Sequence, residues 1–221
     1  MSVTVNVIGA GLAGCEAAWR LAQEGINVRL YEMKPEKFSP AHKYGGFAEL
    51  VCSNSLKAAR LESAAGLLKY EMEHLGSLTV PCAKENSVEA GGALAVDREK
   101  FSDCVTEKIR SHPLIEVVGG EVTALPDGIV IIATGPLTSG AMADTIKQLC
   151  GEGLSFYDAA APIVTYESLD LDKVFFASRY DRGDADYINC PMNKEEYLAF
   201  HEALVNAESC LLYTSPSPRD R

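Results

Sequence analysis

A chain of 221 residues, 47% hydrophobic and 23% charged, has the composition of a soluble globular protein with enough length to bury a substantial core. Its net charge of −11 excludes a generally basic surface of the kind that coats nucleic acid. No run approaches the roughly 18 apolar residues of a membrane span.

The seven cysteines (15, 52, 82, 104, 150, 190 and 210) are odd in number and contain no C-x-x-C. That argues against a zinc site or a disulfide framework and points to a reducing cytoplasm. Met1-Ser2-Val3-Thr4 carries no basic leader, so no signal peptide is expected.

"VTVNVIG" (3–9) reads as a buried strand ending in a glycine turn. A helix is predicted from about Leu12 to Glu24, with Leu12, Cys15, Ala18, Trp19 and Ala22 at helical spacing and Gly25 as its stop. "NVRLYE" (27–32) is the next strand, so the first 32 residues form a parallel βαβ unit. Residues 33–55, with Pro35, Pro40 and Gly45-Gly46, read as a long irregular loop of the kind that is usually functional.

A helix is expected at about 62–75, with Leu67, Leu68, Met72 and Leu75 on one side. "ALAVD" (93–97) is a strand whose Asp97 caps a helix over 98–111. "IEVVGGEVTAL" and "GIVIIATG" supply further strands, and a helix runs from Ser139 to Cys150. Beyond it "PIVTYESL", "KVFFAS" and "DYINC" read as strands, and Asn193 with Glu196 forms a capping box for a helix to about Asn206. Residues 209–221, with Ser-Pro-Ser-Pro, break the pattern and read as a non-native tail.

"GAGLAG", Gly9-Ala10-Gly11-Leu12-Ala13-Gly14, matches G-x-G-x-x-G between a strand and a helix. Its glycines allow a tight turn, close approach of a pyrophosphate and close helix–strand packing, while the helix start offers free N–H groups. Glu32, 23 residues after Gly9, ends the second strand, where an acid binds ribose hydroxyls. "VIIATG" adds Thr134 and Gly135 at the end of another apolar strand, a pattern of two-dinucleotide-domain flavoproteins that favours FAD over NAD.

Cys52 lies in "FAELVCSNSLK", between an apolar run and Ser53-Asn54-Ser55. It is either packed under a turn or presented at one, and composition alone favours the buried, structural thiol. Cys15, Cys104 and Cys150 fall on helical positions as packing residues, and Cys82 and Cys190 lean the same way. His42, His74, His112 and His201 show no ligand spacing and are given no role. Between Arg29 and Lys69 seven basic residues face four acids, a local excess of +3 able to help hold phosphates, although solvated surface lysines are the commoner explanation of such a run.

Taken together, "VIGAGLAGCEAAW", "YEMKP", "FAELVCSNSL", "GGALAVDRE", "ATGPLTS" and the stretch through "DYINCPMNKEEY" closely resemble the bacterial folate- and FAD-dependent tRNA uracil-5-methyltransferases (TrmFO), over residues 3–208. That resemblance implies an α/β fold: a Rossmann-like FAD-binding domain in 1–150, then the start of a smaller inserted α+β domain in 151–208. It implies methylation of C5 of the T-loop uridine, position 54 of tRNA, with carbon from methylenetetrahydrofolate and electrons from flavin reduced by NADH or NADPH.

The same resemblance gives Cys52 the covalent or redox-active role, a thiolate whose ordinary pKa of about 8.5 must be lowered. It also puts a second catalytic cysteine and the rest of the flavin cradle in a C-terminal half, so this chain is expected to bind FAD weakly and turn over little. The rival readings are a flavin-dependent oxidoreductase without an RNA substrate and a non-catalytic FAD-binding fragment.

Overall fold

The strands of a parallel sheet are covered on both faces, and "TVNVI", buried from its second residue on, is such a strand. The computed structural model describes residues 3–151, 164–178 and 184–207. Along the chain run β1 (Thr4–Ile8), α1 (Leu12–Gln23), β2 (Asn27–Glu32), β3 (Ser55–Ala58), α2 (Ala64–His74), α3 (Thr79–Glu85), β4 (Ser87–Val88), β5 (Ala93–Val96), α4 (Arg98–Ser111), β6 (Ile115–Gly119), β7 (Ile129–Ile132) and α5 (Gly140–Cys150). Later come β8 (Phe175–Ala177), β9 (Tyr187–Asn189) and α6 (Lys194–Val205).

The main sheet has the order β6-β2-β1-β7 and is parallel throughout. Its strand order reverses at β1, which leaves a crevice beyond the carboxyl ends of β1 and β7. Helix α1 buries Gly14, Cys15, Ala18 and Ala22, a small-residue face that lets it lie close to the sheet. Helix α4, capped by Asp97 as expected, contributes Phe101, Val105 and Ile109 to the same core. Inside β1 the buried Asn6 is satisfied by donating to the Asp127 carbonyl (3.1 Å) and accepting from the Tyr31 hydroxyl (3.3 Å).

A second, antiparallel sheet of order β3-β5-β4 carries the segment after Cys52. Ser55, read from sequence as part of a turn, opens β3. The β8–β9 hairpin meets the turn before β5, where the Gly91 N–H donates to Asp186 (2.6 Å) and the Tyr187 hydroxyl donates to the Ala90 carbonyl (3.0 Å). The expected capping box of Asn193 and Glu196 starts α6.

Several expectations are corrected. The helix expected at about 62–75 does form, as α2 with Ser63 as its cap, but its Leu67, Leu68 and Leu75 are exposed, with no surface among the described residues covering them. Helix α3 was not expected; Pro81 sits in its first turn, where the missing N–H costs no hydrogen bond. Residues 166–168, read as strand, form a 3₁₀ turn. Leu12 is exposed, and Cys150 and Cys190 are exposed too. The expected tail, 209–221, lies outside the described residues, as do parts of 151–208.

Glu16 on α1 supplies the N-terminal partners of α3. Its carboxylate accepts from the Leu78 N–H (3.1 Å), the Thr79 N–H (2.9 Å) and the Thr79 hydroxyl (2.5 Å), and from the Ser77 hydroxyl. Removing it orphans these donors at once. Glu16→Ala is expected to destabilise the chain by about 1–3 kcal/mol in urea unfolding, with Glu16→Gln retaining part of the loss.

Candidate functional site

Gly9 has φ +99°, open only to glycine, and a Cβ there would meet the Ala133 carbonyl oxygen at 2.6 Å. Its N–H donates to the Tyr31 carbonyl (2.8 Å), so the turn begins as a continuation of the β1–β2 ladder. A Cβ on Gly14 would come within 1.8 Å of the Gly9 carbonyl oxygen, so this glycine is what lets α1 pack on the turn. Gly11 is different: nothing lies within 4 Å of a Cβ built there. It caps α1 without any side-chain hydrogen bond, and no acid occupies the first turn, so the helix start presents free N–H groups to open space.

That space is a cleft of about 330 Å³, at the low end of the roughly 300–1,000 Å³ of small-molecule sites. Gly9, Ala10, Gly11, Leu12, Ala13, Glu32, Thr134 and Gly135 all line it. It lies at the reversal point of the sheet, where open α/β folds bind ligands. Gly14 is not among the lining residues, in keeping with its packing role, and neither is Cys52.

Glu32 is buried, and its two carboxylate oxygens accept from the Ala10 N–H (2.8 Å) and the Lys34 N–H (2.9 Å). Each oxygen keeps a lone pair for a ligand hydroxyl. Thr134 shares a hydrogen bond with Thr138 (2.6 Å), and Thr138 donates to the Gly135 carbonyl (2.7 Å), which fixes the opposite wall.

Residues 33–54 of the expected loop have no regular secondary structure, yet they are firmly held. Lys34, its side chain 5% exposed, donates to the carbonyls of Tyr44 (3.1 Å) and Gly46 (2.6 Å) and pairs with Glu49 (3.2 Å). Phe47 inserts into the core, with its N–H on the Thr106 hydroxyl (2.8 Å), its carbonyl accepting from Ser102 (2.5 Å) and the Arg110 guanidinium 5.0 Å above its ring. The Ala48 N–H donates to the Ala10 carbonyl (2.8 Å), stitching the loop to the glycine turn.

Sequence reasoning missed Lys34, Ser39, His42 and Glu49 as lining residues. The one available signal was that His42 is the only histidine in the proline- and glycine-rich loop. Its Nδ1 pairs with Ser39 Oγ at 2.5 Å, and burial, with the nearby Lys34 ammonium, lowers its pKa below the usual imidazole range.

The thiols divide by environment. Cys15 is fully buried, and burial together with Glu32 and Glu16 pushes its pKa up, so it remains a neutral thiol. Cys82 is buried and pushed up to about 12 by burial and the neighbouring Cys104 thiol. Cys52 is exposed at the loop's end, directly after Val51, which lines the cleft. It is presented rather than packed. Among the described residues no group of three His, Cys, Asp or Glu is placed to hold a metal ion, and no helix is long and apolar enough to cross a membrane.

A parallel sheet, a glycine turn under a helix start and an acid at the end of β2 define a Rossmann-like α/β protein. The family described as Glucose inhibited division protein A matches residues 4–214, and the chain belongs to that family. It is 63% identical over 207 residues to a protein of Pelotomaculum thermopropionicum named methylenetetrahydrofolate--tRNA-(uracil-5-)-methyltransferase TrmFO, covering 93% of this chain and 47% of that one. A protein of the same name from Acetivibrio thermocellus is 62% identical over 206 residues, covering 92% and 47%. The chain thus spans about half the length of the curated relatives it matches. The solved open form of NikD, described as an unusual amino acid oxidase, is similar at TM-score 0.38 and 14% identity over 62% of this chain and 53% of that one, too remote to carry an argument.

Two outcomes follow from this geometry. Gly14→Ala is expected to lower stability by about 2–3 kcal/mol, since the clash is with backbone, whereas Gly11→Ala leaves the melting temperature unchanged and weakens dinucleotide binding. Thermal unfolding and flavin titration of both variants check this.

For Glu49, burial acts to raise the pKa, but hydrogen bonds from the Lys43 and Tyr44 N–H groups and from Lys34 outweigh it and hold the group below its ordinary 4.5. A depressed folded pKa stabilises fully above the unfolded value and is lost as pH falls through the lower folded one. Protease cutting within 39–50 is therefore expected to stay slow down to about pH 4.5 and to rise below it, while Glu49→Gln is cut faster already at pH 6.

Proposed function

We propose that this chain supplies the flavin-binding half of a methylenetetrahydrofolate- and FAD-dependent tRNA uracil-5-methyltransferase of the cytoplasm. Residues 1–150 form the flavin-binding part, and 151–208 open a smaller α+β unit. The observation that carries the reading is 63% identity over 207 residues to a protein of that name, in a span that includes both the cleft and Cys52.

The residues fit FAD. The open space beside Gly11 and the uncapped start of α1 suit a pyrophosphate. Glu32 retains lone pairs for the adenosine ribose hydroxyls, and Thr134 and Gly135 form the facing wall. Flavin, reduced by NADH or NADPH, supplies the electrons that take the folate one-carbon unit to a methyl group.

The rest of the chemistry falls to the chain's own side chains. Val51, Val122 and Met142 line the cleft and keep part of it dry. The Cys52 thiolate adds to C6 of the uracil, breaking the C5–C6 π bond and leaving an enolate with nucleophilic C5. C5 then bonds the folate methylene carbon as that carbon's C–N π bond opens onto nitrogen. Loss of the C5 proton expels the tetrahydrofolate nitrogen from the new carbon, and the hydride equivalent that a bound reduced flavin would supply completes the methyl group as the Cys52 thiolate leaves C6 and the ring double bond returns.

With the reading frame completed to the relatives' length, label transfer from methylenetetrahydrofolate to tRNA is expected to fall by at least about 10³-fold in Cys52→Ala, with flavin affinity unchanged because Cys52 lies outside the cleft lining. Equal transfer by the variant would sink the assignment.

The net charge of −11 favours a second reading, a flavin-dependent oxidoreductase without RNA, since RNA binding normally shows as a basic surface. Flavin reduction by NADH with no tRNA-dependent folate consumption would support it.

A further inference from the structure

The seven basic residues from Arg29 to Lys69 separate into distinct sets in three dimensions. Arg29 pairs with Glu116 (3.0 Å), Lys34 with Glu49 (3.2 Å) and Lys37 with Glu121 (2.6 Å). Among the described residues, Lys57, Arg60 and Lys69 have no carboxylate oxygen within 4.0 Å of a charged nitrogen. Lys43, exposed on the 33–55 loop, has none either.

Lys57, Arg60 and Lys69 gather at the end of β3. The Lys69 ammonium donates to the carbonyls of Ala58 (2.9 Å) and Ala65 (2.8 Å), which fixes it beside the strand that carries Lys57. Burial and the Lys57 charge lower the Lys69 pKa, as two cations held near one another require. Arg60 starts the turn into α2, where its carbonyl accepts from the Ser63 hydroxyl (2.7 Å) and the Ser63 N–H (3.1 Å). Glu62 is the acid in that turn, and it is exposed.

The backbone at Lys57 is itself unusual. Its φ is +66°, a left-handed conformation that costs a non-glycine residue about 1–2 kcal/mol. Two successive serine turns hold it there: the Ser55 N–H donates to Ser53 Oγ (3.0 Å) and the Lys57 N–H to Ser55 Oγ (3.1 Å). The β3–β5 register breaks across the same residues. A strained residue set off its sheet, exposed and unneutralised in a strongly acidic protein, calls for an anionic partner.

We propose that Lys57, Arg60 and Lys69 form a phosphate-binding cluster that seats the RNA backbone beside Cys52. This rests on the methyltransferase reading for its choice of polyanion. Lys57 is five residues beyond Cys52, which places the two within about 17 Å even along extended chain. The cluster thus reconciles an acidic chain with an RNA substrate, since the basic surface is local rather than general.

The test is equilibrium binding of a fluorescent T-arm stem–loop RNA to the 221-residue chain across a KCl series. The variants are Lys57→Ala/Arg60→Ala and the charge-preserving Lys57→Arg/Arg60→Lys, with flavin affinity measured on the same samples as a check on folding. Arg60→Gln alone serves should the double variant lose flavin. Two lost phosphate contacts are expected to reduce the slope of log K against log salt by about 1.5 and to weaken binding roughly tenfold, while the charge-preserving variant keeps both.

An unchanged slope and affinity in the neutral variants, or no RNA binding by the unmodified chain, overturns the proposal. Salt-dependent RNA binding without methyl transfer by the completed reading frame would sink the methyltransferase reading alone. Methyl transfer with an unchanged slope would sink the cluster alone.

Discussion

The site depends on an ammonium group taken out of water. Lys34 comes two residues after β2 ends, and burying its charge is tolerable only if every donor finds an acceptor. The acceptors are the carbonyls of Tyr44 and Gly46 and the carboxylate of Glu49, all from the same loop. Satisfying the lysine therefore forces the loop to fold back over the end of the sheet. Glu49 is bound in turn by the Lys43 and Tyr44 N–H groups, so the arrangement closes on itself. With it closed, Phe47 reaches the core, Val51 reaches the cleft and Cys52 emerges at the surface.

Glu32 joins this loop to the glycine turn. One carboxylate oxygen holds Ala10 in the turn and the other holds Lys34 at the start of the loop. An acid at the end of the second strand is thus a structural clasp before any ligand is considered. Each oxygen keeps a lone pair beyond these bonds, so under the proposed function the same residue that shapes the cleft would also accept from a ligand hydroxyl.

Reactivity among the cysteines follows from the same architecture. Cys15 sits one residue after Gly14, where α1 is pressed onto the turn, and its thiol donates to the Ala10 carbonyl at 3.3 Å with carboxylates nearby. Such surroundings oppose a thiolate. Cys52 lies two residues past the buried Leu50 and faces water, as the nucleophile of the proposed function would need to. Further along the chain Lys57 of β3 and Lys69 of α2 have no carboxylate partner among the described residues, whereas Lys34 and Lys37 of the loop are paired with Glu49 and Glu121.

The sequence by itself determined the βαβ unit, the glycine turn, the acid of β2, the Asp97 and Asn193 caps and the membership of Cys52 in a long loop. These are local features: period, capping chemistry and turn geometry act over a few residues and are written in order. It did not determine α3, whose first-turn Pro81 masks a short helix, nor the exposure of Leu67 and Leu68, which depends on whether another surface arrives to cover them.

Only the tertiary structure decided that Lys34, Ser39, His42 and Glu49 join the cleft, that Cys150 and Cys190 lie outside the core, and which cations of one basic run are neutralised. The reason is physical. A buried charge or an irregular loop is satisfied by groups distant in sequence, and a residue's exposure depends on what packs over it. No local pattern records those partners.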